Sequence, residues 1–306
     1  MTPPPVPSVR CVRFGPLPQP VRFVGCDDLL DATRSILRGW RVTRVARGRA
    51  VAPAIRVRRT ADGYRRVSKW QDRPSRVREK FRRTLVEALC GLHSELLDWY
   101  VEEHPDTLFV HGAAARFGRR LVVFPALAYA GKSTLTVHLA QRGRQVWCDD
   151  VLPIDPRTRR GLALGVVPRL RPPLPPSASA AFLRFVEARR GHERRDRLYV
   201  NLRRGEIAPW GATAPVGGIV LLERQPSGPA VLEPVEPADA LEKVILQNFA
   251  REVPALRILD TLERVVRTAR CYRLRYAKTE DAGDLLDGAF LPPRARGRRR
   301  PSRSRR

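Results

Sequence analysis

The chain has 306 residues, 43% of them hydrophobic, and a formal net charge of +27. This allows one large or two ordinary domains with a real core, while no apolar run nears the roughly 18 residues of a membrane span. Its proline-rich start, MTPPPVPSVRCVRFGPLPQP, does not read as a secretory signal, and five scattered cysteines without a CxxC speak against a disulfide framework or zinc site and for a reducing, cytoplasmic setting.

In chain order, residues 1–20 read as extended or loose. Short apolar pieces follow from 21 to 55, with a helix expected over 27–37. Residues 54–58 and 60–67 read as a β-hairpin turning at Asp62-Gly63. From 75 to about 101 the apolar period becomes helical, with Phe81, Leu85, Leu89, Leu92 and Leu96 three or four residues apart. His93 lies on this helix with no acidic or cysteine partner at ligand spacing and reads as packing. These elements make a small mixed α/β N-terminal domain over 1–104.

A second domain is expected over 105–290. Residues 107–115 and 120–125 read as strands joined near Phe117-Gly118. After the second comes a loop of small residues, then Gly131-Lys132-Ser133 and a helix from about Thr134, ending near Arg142-Gly143. Strand, small-residue loop, GKS and helix make the layout of a phosphate-binding loop of the Walker A type. Backbone N–H groups at a helix start attract phosphate. Lys132 would reach the β- and γ-phosphates, and the Ser133 hydroxyl would hold Mg²⁺. The position where the pattern usually begins with glycine is Ala126, and the nucleotide contacts are expected over Ala126, Leu127, Ala128, Tyr129, Ala130, Gly131, Lys132, Ser133 and Thr134. A strand over 145–148 then delivers Asp149 and Asp150 at its carboxyl end, where ligands collect in α/β sheets.

Further along, 161–171 reads as a strand or hairpin arm, 178–190 as a helix and the charged run HERRDR (192–197) as a mobile loop. Strands are expected over 198–202, 216–222 and 230–235, helices over 238–249 and 255–269, a last strand over 271–276 and a last helix over 280–290. Eight arginines crowd the final thirteen residues, so 291–306 is expected to be a disordered tail capable of nonspecific contact with acidic partners. Only five of the 58 basic residues are lysine. Such a bias for arginine follows from a GC-rich genome and weakens nucleic-acid binding as an explanation of the charge.

Lys132, Ser133, Asp149, Asp150 and His111 form the constellation that carries chemistry. Phosphoryl transfer needs charge neutralisation, a metal contact and a base near the attacking hydroxyl, and these residue types supply all three. His111-Gly112, the GKS, the Arg142-Gly143 helix end and Asp149-Asp150 together resemble the catalytic domain of HPr kinase/phosphorylase. The resemblance is closer still to the HPr-kinase-related proteins of peptide-maturation gene clusters. It covers 107–154 well, continues more weakly to about 286, and is loose over the first hundred residues.

The resemblance implies a P-loop kinase core with ATP and Mg²⁺ as cofactors. It implies Asp150 as the base for a serine hydroxyl, His111 beside the transferring phosphate, and Asp149 assisting Ser133 at the metal. Two positions depart from the family: Ala126 replaces the first loop glycine, and the downstream glutamate metal ligand has no counterpart, since Glu187 stands at a different offset. The arginines Arg119, Arg120, Arg169 and Arg171 are candidates for neutralising phosphate or docking an acidic substrate. The expected function is an ATP-dependent serine kinase acting on a protein or ribosomally made peptide. The alternatives are a nucleotide-binding, catalytically weak scaffold of a peptide-modification complex and, lower, nucleic-acid binding through the basic tail. The sequence leaves oligomeric state open.

Overall fold

Alternation of apolar and charged residues builds the first sheet. β1 (Val9–Phe14) and β2 (Val21–Val24) pair antiparallel, α1 (Asp27–Ile36) follows, and β3 (Val42–Arg44) returns to the outer side of β1. β4 (Ile55–Thr60) and β5 (Gly63–Ser68) form the hairpin expected at Asp62-Gly63, and β6 (Arg78–Arg82) closes the order β3-β1-β2-β4-β5-β6. The computed structural model describes residues 6–46, 52–69, 78–127 and 129–291. The expected tail and Ala128, one of the expected nucleotide contacts, therefore lie outside the described residues.

Two expectations are corrected in this half. The stretch read as loose contains β1, which is paired on both sides. The long helix starts not near 75 but at Leu85, as α2 (Leu85–Glu102). Thr84 and Glu87 form a capping box there, satisfying N–H groups that a helix start leaves open. Upstream, β6 pairs with β5, Phe81 opposite Arg65, so the ladder takes residues that the apolar period assigned to the helix. On α2, Leu89, Leu92 and Leu96 are fully buried, each worth about 1.5–3 kcal/mol relative to exposure.

The second half is mixed α/β. β7 (Leu108–Phe117) and β8 (Arg120–Pro125) form a hairpin whose turn uses Gly118 at φ 59°. α3 (Lys132–Gln141), β9 (Gln145–Cys148), β10 (Val151–Ile154), β11 (Arg160–Leu162) and β12 (Arg169–Leu170) follow, then α4 (Ala180–Glu187), β13 (Arg190–Arg194) and β14 (Arg197–Val200). β15 (Thr213–Arg224), β16 (Val231–Pro234), α5 (Pro237–Leu246), α6 (Ala255–Arg267), β17 (Arg270–Tyr276) and α7 (Thr279–Phe290) complete the chain. The main sheet has the order β11-β10-β7-β8-β15-β17-β16, with β9 on β7. Its centre is parallel, β8 beside β15 beside β17. α3 and α7 pack on the sheet through Leu135, Leu139, Ala282 and Leu286, all fully buried.

HERRDR is also corrected. It is the end of β13 and the turn into β14, the two strands pairing with each other and with β12 as a separate three-stranded sheet. Arg194 and Arg197 both pair with Asp196 across that turn, which explains how so charged a run forms a hairpin. One apolar cluster runs from Phe14 and Ile55 through α2 to Phe109, Tyr199, Val200 and Leu202, so the N-terminal sheet and the later strands share a core. No described helix is long and apolar enough to cross a membrane.

Candidate functional site

β8 ends at Pro125 and α3 begins at Lys132. Gly131 precedes the helix in the left-handed region, φ 86°. A Cβ there would stand 2.8 Å from both Arg224 Cδ and the Tyr276 hydroxyl, so the position needs glycine for its backbone and for its space. Among the described residues no side chain caps this helix start, and no acidic residue occupies its first turn, which leaves the positive end of the helix free to attract an anion. Gly131, Lys132, Ser133 and Thr134 line a cavity of about 210 Å³.

Lys132 is only 7% exposed. Its ammonium donates to the carbonyls of Ala126 at 2.5 Å and Leu127 at 2.8 Å, so the lysine folds back on its own loop. Burial lowers its pKa, with Asp150 and Asp149 pulling the other way. Tyr129 also lines the cavity, at a positive φ of 70°, and its exposed ring lies 4.2 Å from the Arg171 guanidinium. Ala130 is not among the lining residues, and Ala126 and Leu127 enter the site through their carbonyls alone.

Strand register brings the acids to the lysine. β10 pairs with β7 so that Val151 faces His111, and the Gly112 N–H donates to the Asp150 carbonyl at 3.1 Å. Asp149 and Asp150 therefore enter beside His111. The His111 ring has Nε2 3.1 Å from Asp150 Oδ1 and 3.5 Å from Lys132 Nζ, while Nδ1 contacts Gln247 Oε1 at 3.1 Å. Gln247, at the end of α5, also accepts the His111 backbone N–H at 2.8 Å. This residue grips the histidine by main chain and ring and turns Nε2 toward both the acid and the lysine.

The two aspartates are electrostatically distinct. Asp150, with its side chain 55% exposed, is held down to about pKa 2, chiefly by its contact with His111. Burial pushes Asp149 up to about 6, opposed by the Arg169 N–H that donates to its Oδ2 at 3.0 Å and by the Ser133 hydroxyl. Its Oδ1 is buried without a hydrogen-bond partner among the described residues. Among the described residues no three His, Cys, Asp or Glu side chains are grouped to hold a metal unaided. A buried, unpartnered carboxylate oxygen near a serine hydroxyl does fit a Mg²⁺ ion that takes its remaining oxygens from phosphate and water.

Of the arginines singled out in the sequence, Arg169 and Arg171 line the cavity. Arg119 and Arg120 do not, because they stand at the other end of β8, at its turn with β7. Three contributors went unread. Gln247 is 136 residues from His111 and carries no motif. Arg224, at the end of β15, reaches the loop through the parallel sheet. His93, expected to be packing, is buried and lines the cavity, with Nδ1 3.2 Å from the Tyr199 hydroxyl and Nε2 without a partner among the described residues. Burial pushes its pKa down to about 4.

No protein-family model and no curated protein matches this chain.

Proposed function

We propose that the protein is an ATP-dependent kinase that phosphorylates a serine of a protein or peptide, built on a P-loop core of the kind the sequence resembles. The observation that carries this reading is the convergence of Lys132, His111 and Asp150 at the uncapped start of α3, each within 3.5 Å of the next. In this reading Lys132 exchanges its two loop carbonyls for phosphate oxygens, and the first N–H groups of α3 receive the same charge. Ser133 and Asp149 would hold Mg²⁺, which would offset the phosphate charge. The acceptor serine oxygen bonds to the γ-phosphorus of ATP as the bond to the bridging oxygen of ADP breaks. The hydroxyl proton passes to an Asp150 carboxylate oxygen.

A carboxylate held near pKa 2 is a weak base. That suits a loose transition state, in which the hydroxyl proton is lost late and orientation matters more than basicity. Asp150→Asn keeps the shape and removes the proton acceptor. Nucleotide affinity is expected to stay within about threefold, while serine phosphorylation falls by roughly 10²–10⁴. Binding is read with a fluorescent ATP analogue and transfer with γ-labelled ATP. A second reading, a nucleotide-binding scaffold without transfer, draws on Ala126 in place of the loop glycine and on Lys132 tied to its own loop. It gains if the wild-type chain binds ATP yet labels no serine peptide.

A further inference from the structure

We propose that the groove between α2 and the β13–β14 hairpin seats an acidic stretch of the acceptor polypeptide next to its serine. This rests on the kinase reading and specifies its substrate class. The groove has a volume of about 640 Å³. Cys90, Gly91 and Ser94 of α2 line one side; Arg82 and Arg83, just before that helix, and Arg194 and Arg197, from the hairpin, supply charge.

Among the described residues five arginines line the groove against two carboxylates, Glu87 and Asp196. Both carboxylates are already engaged, since Arg194 pairs with Glu87 at 2.5 Å and with Asp196 at 2.8 Å, and Arg197 pairs with Asp196 at 3.1 Å. Among the described residues no ion pair holds Arg82, Arg83 or Arg169. Arg82 donates one N–H to the Phe81 carbonyl and Arg169 is hydrogen-bonded to the Tyr199 hydroxyl. A guanidinium carries five N–H donors, so the group still has donors to offer an anion, and arginine binds carboxylates with two of them at once.

Arg169 joins the groove to the chemistry, because it lines both the groove and the cavity that holds Asp150. Its backbone N–H holds Asp149 at 3.0 Å. An acidic side chain seated on Arg169 leaves a serine a few residues along the same chain facing Asp150. A polypeptide fits better than nucleic acid. Among the described residues Phe81 is the groove's single aromatic residue, whereas single-stranded nucleic acids are held by several rings on which bases stack.

The test uses the full chain without nucleotide and fluorescein-labelled serine peptides flanked by glutamates, by glutamines or by lysines, read by fluorescence anisotropy. The glutamate peptide is expected to bind about tenfold more tightly than the glutamine one at low salt, with the preference shrinking as salt screens it. Arg82→Glu with Arg83→Glu, both at exposed positions, is expected to erase that preference while affinity for a fluorescent ATP analogue stays unchanged. Equal binding of the three peptides overturns the proposal. So does loss of the preference on removing residues 292–306 but not in the double variant, or tighter binding of a single-stranded RNA with the same sensitivity to that variant. Selective peptide binding without phosphate transfer upholds the groove and removes the kinase reading, so the two fail separately.

Discussion

Asp149 and Asp150 are neighbours in the chain, yet the fold treats them in opposite ways. One loses water and is pushed up to about pKa 6; the other rests against His111 and falls to about 2. The signs of their effects on stability follow. Above about pH 6 the folded chain carries a buried Asp149 charge that the unfolded chain would keep in water, so folding bears a cost. As pH falls from about 6 toward the ordinary value of 3.8, the folded state takes up the proton first and the cost disappears. Asp149→Asn is therefore expected to raise the melting temperature at pH 8, by about 2–4 °C for each kcal/mol recovered, with the gain vanishing near pH 4. The opposite trend in thermal-shift curves would show that the carboxylate is not desolvated as described. Asp150 works the other way: it stabilises the fold above pH 3.8, and that contribution is lost only as pH falls through about 2.

Among the elements, α5 has a role its sequence does not announce. It ends at Leu246, and the next residue, Gln247, holds His111 through both backbone and ring. Gln247→Ala leaves the fold of α5 intact but frees the ring to rotate. On the proposed kinase reading, serine phosphorylation is expected to drop about tenfold or more in kcat with little change in the KM for ATP, because misorientation costs the transition state more than binding. Steady-state kinetics with ATP varied separates the two constants. An increase in KM alone would make Gln247 a nucleotide contact. α2 also acts at two levels. Its buried leucines fasten the N-terminal sheet, and the same helix delivers His93 to the cavity wall. A helix assigned to the N-terminal domain thus contributes to the site.

At the scale of the whole molecule, the apolar cluster through Phe14, Leu92, Phe109 and Tyr199 ties the N-terminal sheet to the strands around the site. A fragment spanning 105–291 would expose that face, and it is expected to be molten or insoluble, binding a hydrophobic dye, while the full chain unfolds in one transition. Two separate transitions in calorimetry would show that the halves fold independently. In the same vein Leu92→Ala, at a fully buried position, is expected to cost about 2–5 kcal/mol and to weaken the proposed nucleotide binding, since His93 is its neighbour. The sequence alone determined the local elements: the hairpin at Asp62-Gly63, α3 after Gly131, and the succession from β15 to α7. Turn chemistry, apolar period and glycine at a positive φ act over a few residues and leave their mark there. The tertiary structure alone decided the partners of those elements. Gln247 reaches His111, Arg169 stands between groove and cavity, and β6 is a strand rather than a helical turn, because pairing and burial are settled between residues far apart in the chain, where no spacing records them.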